Sequence, residues 1–176
     1  MANETIELLK NYEPKKMEWP ALHQQKIDGV PVRVIKQAGE VRSYTRQGER
    51  VTSIPHIEQF CSVLLKNNGD SVVMELHIAG KAFKEISGLV RRKAACRQLT
   101  GWCFDCFWTD DRQSYRSRML TLAFKLGDIA TKAGSRLEDF SVRIIPGVQC
   151  ADEAAAQAAH DALMMANPDA EGSVLH

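Results

Sequence analysis

The chain has 176 residues, 44% hydrophobic and 26% charged, which excludes an intrinsically disordered polymer and suits one domain with a real core. Its formal net charge of +1 is too balanced to argue for a nucleic-acid partner by itself. No stretch of about 20 apolar residues exists to span a bilayer, and the acid-bearing start, MANETIELLKNYEP, lacks the apolar core of a secretion signal, so a cytoplasmic protein is the expectation.

In chain order, residues 5–10 predict a short helix, ended before Pro14. QQKIDGVPVR follows at residues 24–33, with one lysine, Lys26, just before an Asp28-Gly29 turn and an alternating apolar run after it. Residues 32–35 and 41–44 alternate as two strands joined by the turn Gln37-Ala38-Gly39-Glu40. Ile54-Pro55 opens a helix with Ile57, Phe60, Cys61, Leu64 and Leu65 on one face, ended by Asn67-Asn68-Gly69. Residues 72–78 read as a buried strand interrupted by Glu75, and 102–108 as another. Residues 115–133 carry the longest helical stripe, with Gly134 suited to its C-terminal cap. A strand at 140–145 and an alanine-rich helix at 152–166, stopped by Asn167-Pro168, come next. Residues 171–175 then start a strand, an ending that reads as cut short. Hairpin-like strand pairs mixed with helices point to α+β rather than a regular βαβ series.

Five cysteines at irregular spacing suggest reduced thiols. Cys103 and Cys106 form a lone C-x-x-C, but zinc needs two such pairs or added histidines. On a strand, residues three apart point to opposite faces, so these sulfurs are not expected to converge. Two basic stretches, Lys81, Lys84, Arg91, Arg92, Lys93 and Arg97, then Arg112, Arg116 and Arg118, read as solvated faces. Lys26 has two readings. It is either a surface lysine beside a turn or a nucleophile held by it, and a nucleophile needs its ordinary pKa of about 10.4 lowered.

Read in order, the segments decide between these. QQKIDGVPVR resembles the K-x-D-G signature of covalent nucleotidyltransferases: ATP-dependent DNA ligases, RNA ligases and mRNA-capping enzymes. SYTRQGE (43–49) resembles the S/T-R-x-G segment of DNA ligases. VVMELHIAGKAFKEISGLVRRK (72–93) resembles their E-L strand and the F-x-x-x-S-G segment of small phage-type ligases. GWCFDCFW (101–108) is similar to their strand ending in Phe-Asp, and EGSVLH (171–176) to the E-G-x-x-x-K segment.

The resemblance implies an ATP-grasp-like adenylation domain of antiparallel sheets flanked by helices, spanning 1–176 without an OB-fold domain. Lys26 would attack the α-phosphate of ATP and hold AMP as a phosphoramidate, on the way to sealing nicks in duplex DNA. Glu75 would meet the ribose and, with Glu171, bind Mg2+. Phe104 would stack on the adenine. Gln24 would accept a hydrogen bond from the adenine amino group, and Arg46 would contact DNA phosphate or the nucleotide.

There are departures. The family usually places arginine five residues after the lysine, where this chain has Pro31. Arg33 comes two residues later, on the same strand face but displaced by about 6–7 Å. The D-G-E-L turn becomes Val73-Met74-Glu75-Leu76. The family's next strand, with two lysines on the α-phosphate, and its small β-barrel are not in the sequence. The expectation is therefore a C-terminally incomplete domain whose partners are nicked DNA and a second chain supplying those parts. An RNA ligase, a capping-type enzyme, or a non-catalytic remnant binding nucleotide or DNA stand as alternatives.

Overall fold

The computed structural model describes Ile6 and residues 10–109, 114–167 and 170–176. Most of the helix expected over 5–10, together with Arg112 and Pro168, lies outside the described residues. In chain order the strands are β1 (Ala21–Gln25), β2 (Val30–Gln37), β3 (Glu40–Thr45), β4 (Arg50–Val51), β5 (Ser71–His77), β6 (Thr100–Phe107), β7 (Val142–Ile144), β8 (Gly147–Cys150) and β9 (Ser173–Leu175). The helices are α1 (Pro55–Leu64), α2 (Phe83–Val90), α3 (Tyr115–Ala133) and α4 (Glu153–Ala166). They divide into two compact units, Gly29–Ile144 with Ile6, and residues 10–28 with Ile145–His176.

The larger unit is built on one six-stranded sheet in the order β4-β3-β2-β5-β6-β7, antiparallel except for the parallel pair β6–β7. Strand alternation sends Val32, Val34, Val72, Met74 and Leu76 to one face. There they form a single core with Ile57, Cys61 and Leu64 of α1, Ile86 and Val90 of α2, and Met119, Leu122 and Leu126 of α3. Each large aliphatic side chain buried this way contributes about 1.5–3 kcal/mol of transfer free energy. α1 begins at Pro55, as expected, although Phe60 is only partly buried, its ring 4.8 Å from that of Phe140. α3 keeps the predicted bounds, with Ser114 capping its start and Gly134 its end. α2 was not anticipated as a helix; Glu85 reaches back to the Ala82 N–H, 3.3 Å away, to cap it.

Two residues of the K-x-D-G-x-P segment are explained by this sheet. Gly29 enters β2 against the end of β5, where a Cβ would lie 2.6 Å from the Leu76 carbonyl oxygen, so only glycine fits without displacing backbone. Pro31 costs no ladder bond. Lys36 donates its N–H to Asp70, so even-numbered amides of β2 face β5 and odd-numbered ones face β3, whose pairing ends at Val32 opposite Thr45.

The C-x-x-C expectation needs correction. Val73 pairs with Asp105 and Met74 with Cys103, so Phe104 is an extra residue, a β-bulge. The bulge resets the alternation and brings Cys103 and Cys106 into the same core. Both are fully buried, and burial pushes the Cys103 thiol well up and that of Cys106 to about 12. Protonated thiols of this kind are poor nucleophiles and poor metal ligands.

In the smaller unit, β1 is the central strand of the antiparallel order β8-β1-β9, with α4 against β1 and β8. Asp152 caps α4 by accepting from the Ala155 N–H at 2.8 Å. The strand expected at 171–175 is present as β9 and pairs with β1, His23 opposite Leu175. β1, β4 and β8 had not been anticipated. Among the described residues, no helix is long and apolar enough to cross a membrane.

Candidate active site

In the smaller unit, β1 ends at Gln25 and Lys26 is the first residue beyond it. Its backbone N–H donates to the Gly172 carbonyl at 2.9 Å, extending the β1–β9 pairing by one step. Gly172 has φ of 139°, a conformation that glycine adopts without strain. This backbone path presents the Glu171 carboxylate to the Lys26 ammonium, and the two form an ion pair. The E-G pair thus has a division of labour: glycine allows the approach and glutamate uses it. At 37% and 42% side-chain exposure, the pair contributes only about 0.2–1 kcal/mol to stability, so its significance is chemical.

Two residues further on, the Ser173 hydroxyl sits 2.8 Å from both His23 Nε2 and His160 Nδ1. One hydroxyl can serve two imidazoles because it donates once and accepts twice. Burial, and then the neighbouring His160, push the His23 pKa down, which favours its neutral form. This bridge holds β9 beside β1, and sequence reasoning missed it because the three residues are far apart in the chain. Gln24 is buried, and its amide nitrogen donates to the Ile145 carbonyl at 2.7 Å.

In the larger unit, Glu75 stands opposite Pro31 and Trp102, on the sheet face away from Val72, Met74 and Leu76. Arg33, opposite Val73, shares that face; its Nε donates to Ser71 Oγ at 3.1 Å, and its guanidinium lies 5.8 Å from the Phe107 ring centroid. Phe104 is half-buried and is not part of the apolar core cluster. Arg46 lies in the turn after β3 and joins neither group; its Nη2 donates to the Ile6 carbonyl at 3.1 Å.

Arg118, read from sequence as part of a solvated basic face, is 18% exposed and paired with Asp105. Its Nη2 lies 2.9 and 3.0 Å from the two carboxylate oxygens. Tyr115 Oη donates to the Phe104 carbonyl at 2.9 Å.

For a divalent cation, no group of three or more His, Cys, Asp or Glu ligands is assembled among the described residues. Mg2+ carried on nucleotide phosphates needs only one or two protein carboxylates, and the partly exposed Glu171 fits that requirement.

No protein-family model matches the sequence, and no curated protein matches it. Solved structures do. The structure named Pmar-Lig_PreS3 superposes with a TM-score of 0.73 at 16% identity, over 92% of this chain and 39% of its own. Chlorella virus DNA ligase-adenylate gives 0.65 at 20% identity, over 98% of this chain and 56% of its own. The ATP-dependent DNA ligase of bacteriophage T7, in complex with ATP, gives 0.58 at 13% identity, over 81% of this chain and 53% of its own. The chain has a DNA-ligase fold. The α+β architecture expected from the sequence is therefore present, and the chain spans between about two fifths and three fifths of the ligase chains it matches. At identities this low the likeness rests on the path of the backbone and shows the fold.

Proposed function

We propose that this chain is the nucleotidyltransferase part of an ATP-dependent DNA ligase, and that Lys26 is its covalent nucleophile. The observation that carries the reading is the Lys26–Glu171 ion pair, held by the Lys26 N–H on the Gly172 carbonyl, at the lysine of the K-x-D-G segment. Attack needs the neutral amine, so the ammonium first gives up a proton to solvent water, while the neighbouring Glu171 carboxylate orients the nitrogen. The Lys26 Nζ lone pair then forms a bond to the α-phosphorus of ATP. The bond from that phosphorus to the α–β bridging oxygen breaks, and pyrophosphate leaves with the electron pair. AMP remains on Lys26 for transfer to the 5′-phosphate of a nick.

Phe104 offers a flat ring to the purine, Glu75 accepts from the ribose hydroxyls, and Arg33 and Arg46 supply positive charge to nucleotide or DNA phosphate. Gln24 stands two residues before the nucleophile, on the strand that presents it. Glu171, a partly exposed carboxylate, would hold Mg2+ carried on the phosphates, and the ion would supply neutralisation of the developing charge.

The test is incubation of the purified chain with Mg2+ and ATP labelled at the α-phosphate, beside a Lys26→Ala variant. Label that survives denaturation on the wild type and is missing from the variant is the expected result. Equal labelling of the two would remove Lys26 from the role.

A further inference from the structure

The bulge at Phe104 cannot be maintained by the β5–β6 ladder, because an extra residue has no partner across the strand pair. Side chains hold it instead. Tyr115 Oη donates to the Phe104 carbonyl at 2.9 Å, and Asp105 Oδ1 accepts the Cys106 N–H at 2.7 Å. Arg118 then grips both oxygens of Asp105, at 2.9 and 3.0 Å, with its guanidinium 4.9 Å from the Phe107 centroid and 5.8 Å from that of Tyr115. Tyr115 and Arg118 are three residues apart in the first turn of α3, so they lie on one side of the helix. One helix end therefore fixes two consecutive bulge residues. A half-buried ion pair is a costly way to fill space, since desolvation offsets much of its attraction. Its distinctive contribution is geometric.

We infer that Tyr115, Asp105 and Arg118 are positioning residues that fix the backbone at Phe104, and with it the ring that receives the purine face of the nucleotide. This rests on the role proposed above for Phe104. A ring on a bulge without these anchors must be ordered by the ligand itself, and that ordering weakens binding.

AMP is the probe, since it carries the base but has no pyrophosphate to release, and titration calorimetry on the whole chain is the measurement. Phe104→Ala should weaken AMP binding about tenfold or more. Tyr115→Phe, which removes only the hydroxyl, should weaken it about three- to tenfold. The double variant should bind no more weakly than Phe104→Ala alone, because the hydroxyl acts only through the ring. Ribose 5-phosphate, which has no base, should bind Tyr115→Phe as it binds the wild type. Additive losses in the double variant, a loss for ribose 5-phosphate, or wild-type AMP affinity in Tyr115→Phe would each overturn the inference. Wild-type AMP affinity in Phe104→Ala would instead remove the base-platform role itself. If Tyr115→Phe does not fold, Asp105→Asn keeps the shape, releases Arg118, and should give the same non-additive pattern.

Discussion

At the scale of single residues, the two ends of the K-x-D-G segment are constrained by different physics. Lys26 and Glu171 are partly exposed, so their attraction does little for the fold. Glu171→Gln keeps the shape and removes the charge. It should lower the melting temperature by no more than about 2–4 °C. It should also lower the yield of adenylyl-enzyme on the order of a hundredfold, as when one preorganised electrostatic partner is lost. Calorimetry beside the α-labelling assay separates the two effects, and a large fall in melting temperature would make the pair structural. Gly29 is the converse case. A methyl group there meets the Leu76 carbonyl at 2.6 Å, and neither strand can yield without disturbing the ladder. Gly29→Ala should cost about 1–3 kcal/mol, read as a lower urea midpoint with an unchanged slope. Wild-type stability in that variant would show that the strands separate more easily than the geometry allows.

At the scale of elements, Asp70 joins the loop after α1 to the end of β6. Its carboxylate, in a residue only 1% exposed, accepts from the Lys66, Asn67 and Thr109 N–H groups and the Thr109 hydroxyl at 2.9–3.1 Å. Burial alone would raise its pKa, but these hydrogen bonds outweigh burial and hold it below the usual carboxylate value. A lowered folded value means that the unfolded chain takes up the proton first. The stabilisation is therefore complete above about pH 4 and is lost as pH falls through the folded pKa. Asp70→Asn should cost about 1–3 kcal/mol at neutral pH and flatten the acid limb of a urea-denaturation series. An acid limb like that of the wild type would assign the acid sensitivity to other carboxylates. The bulge makes its own prediction: Cys61, Cys103, Cys106 and Cys150 are at most 1% exposed while Cys96 is half-buried, so an aromatic disulfide reagent should label Cys96 alone in the native chain. Labelling of Cys103 or Cys106 at a comparable rate would mean that β6 turns its sulfurs outward. The hairpin, α1, α3 and α4 were legible because each depends on periodicity and caps within one segment. The bulge was not, because it exists only in the register of β6 against β5. The pairing of Arg118 with Asp105 and the His23–Ser173–His160 bridge were hidden for the same reason. β1 and β8 escaped notice because their short, polar-rich words acquire meaning only when paired with each other.

At the scale of the whole molecule, a net charge of +1 conceals an uneven distribution. No acid occurs between Glu85 and Asp105, while Arg91, Arg92, Lys93 and Arg97 are exposed between α2 and β6 and make no ion pair among the described residues. On the proposed function, a nicked duplex has to be held by its phosphates, and solvated cations clustered in one loop can release counterions from it without breaking any internal contact. Exposed cations of this kind leave the fold nearly indifferent to their removal, so Arg91→Glu with Arg92→Glu should fold normally and accept AMP from ATP at the wild-type rate in the absence of DNA. Binding to a nicked duplex should weaken. The decisive quantity is how that binding varies with salt. Each lost phosphate contact removes about 0.9 from the slope of log affinity against log salt, so the double variant should show a slope shallower by about 2. A weaker affinity with an unchanged slope would mean that the substitutions disturb the duplex contact indirectly, and an unchanged affinity would put the phosphate contacts on another face of the protein.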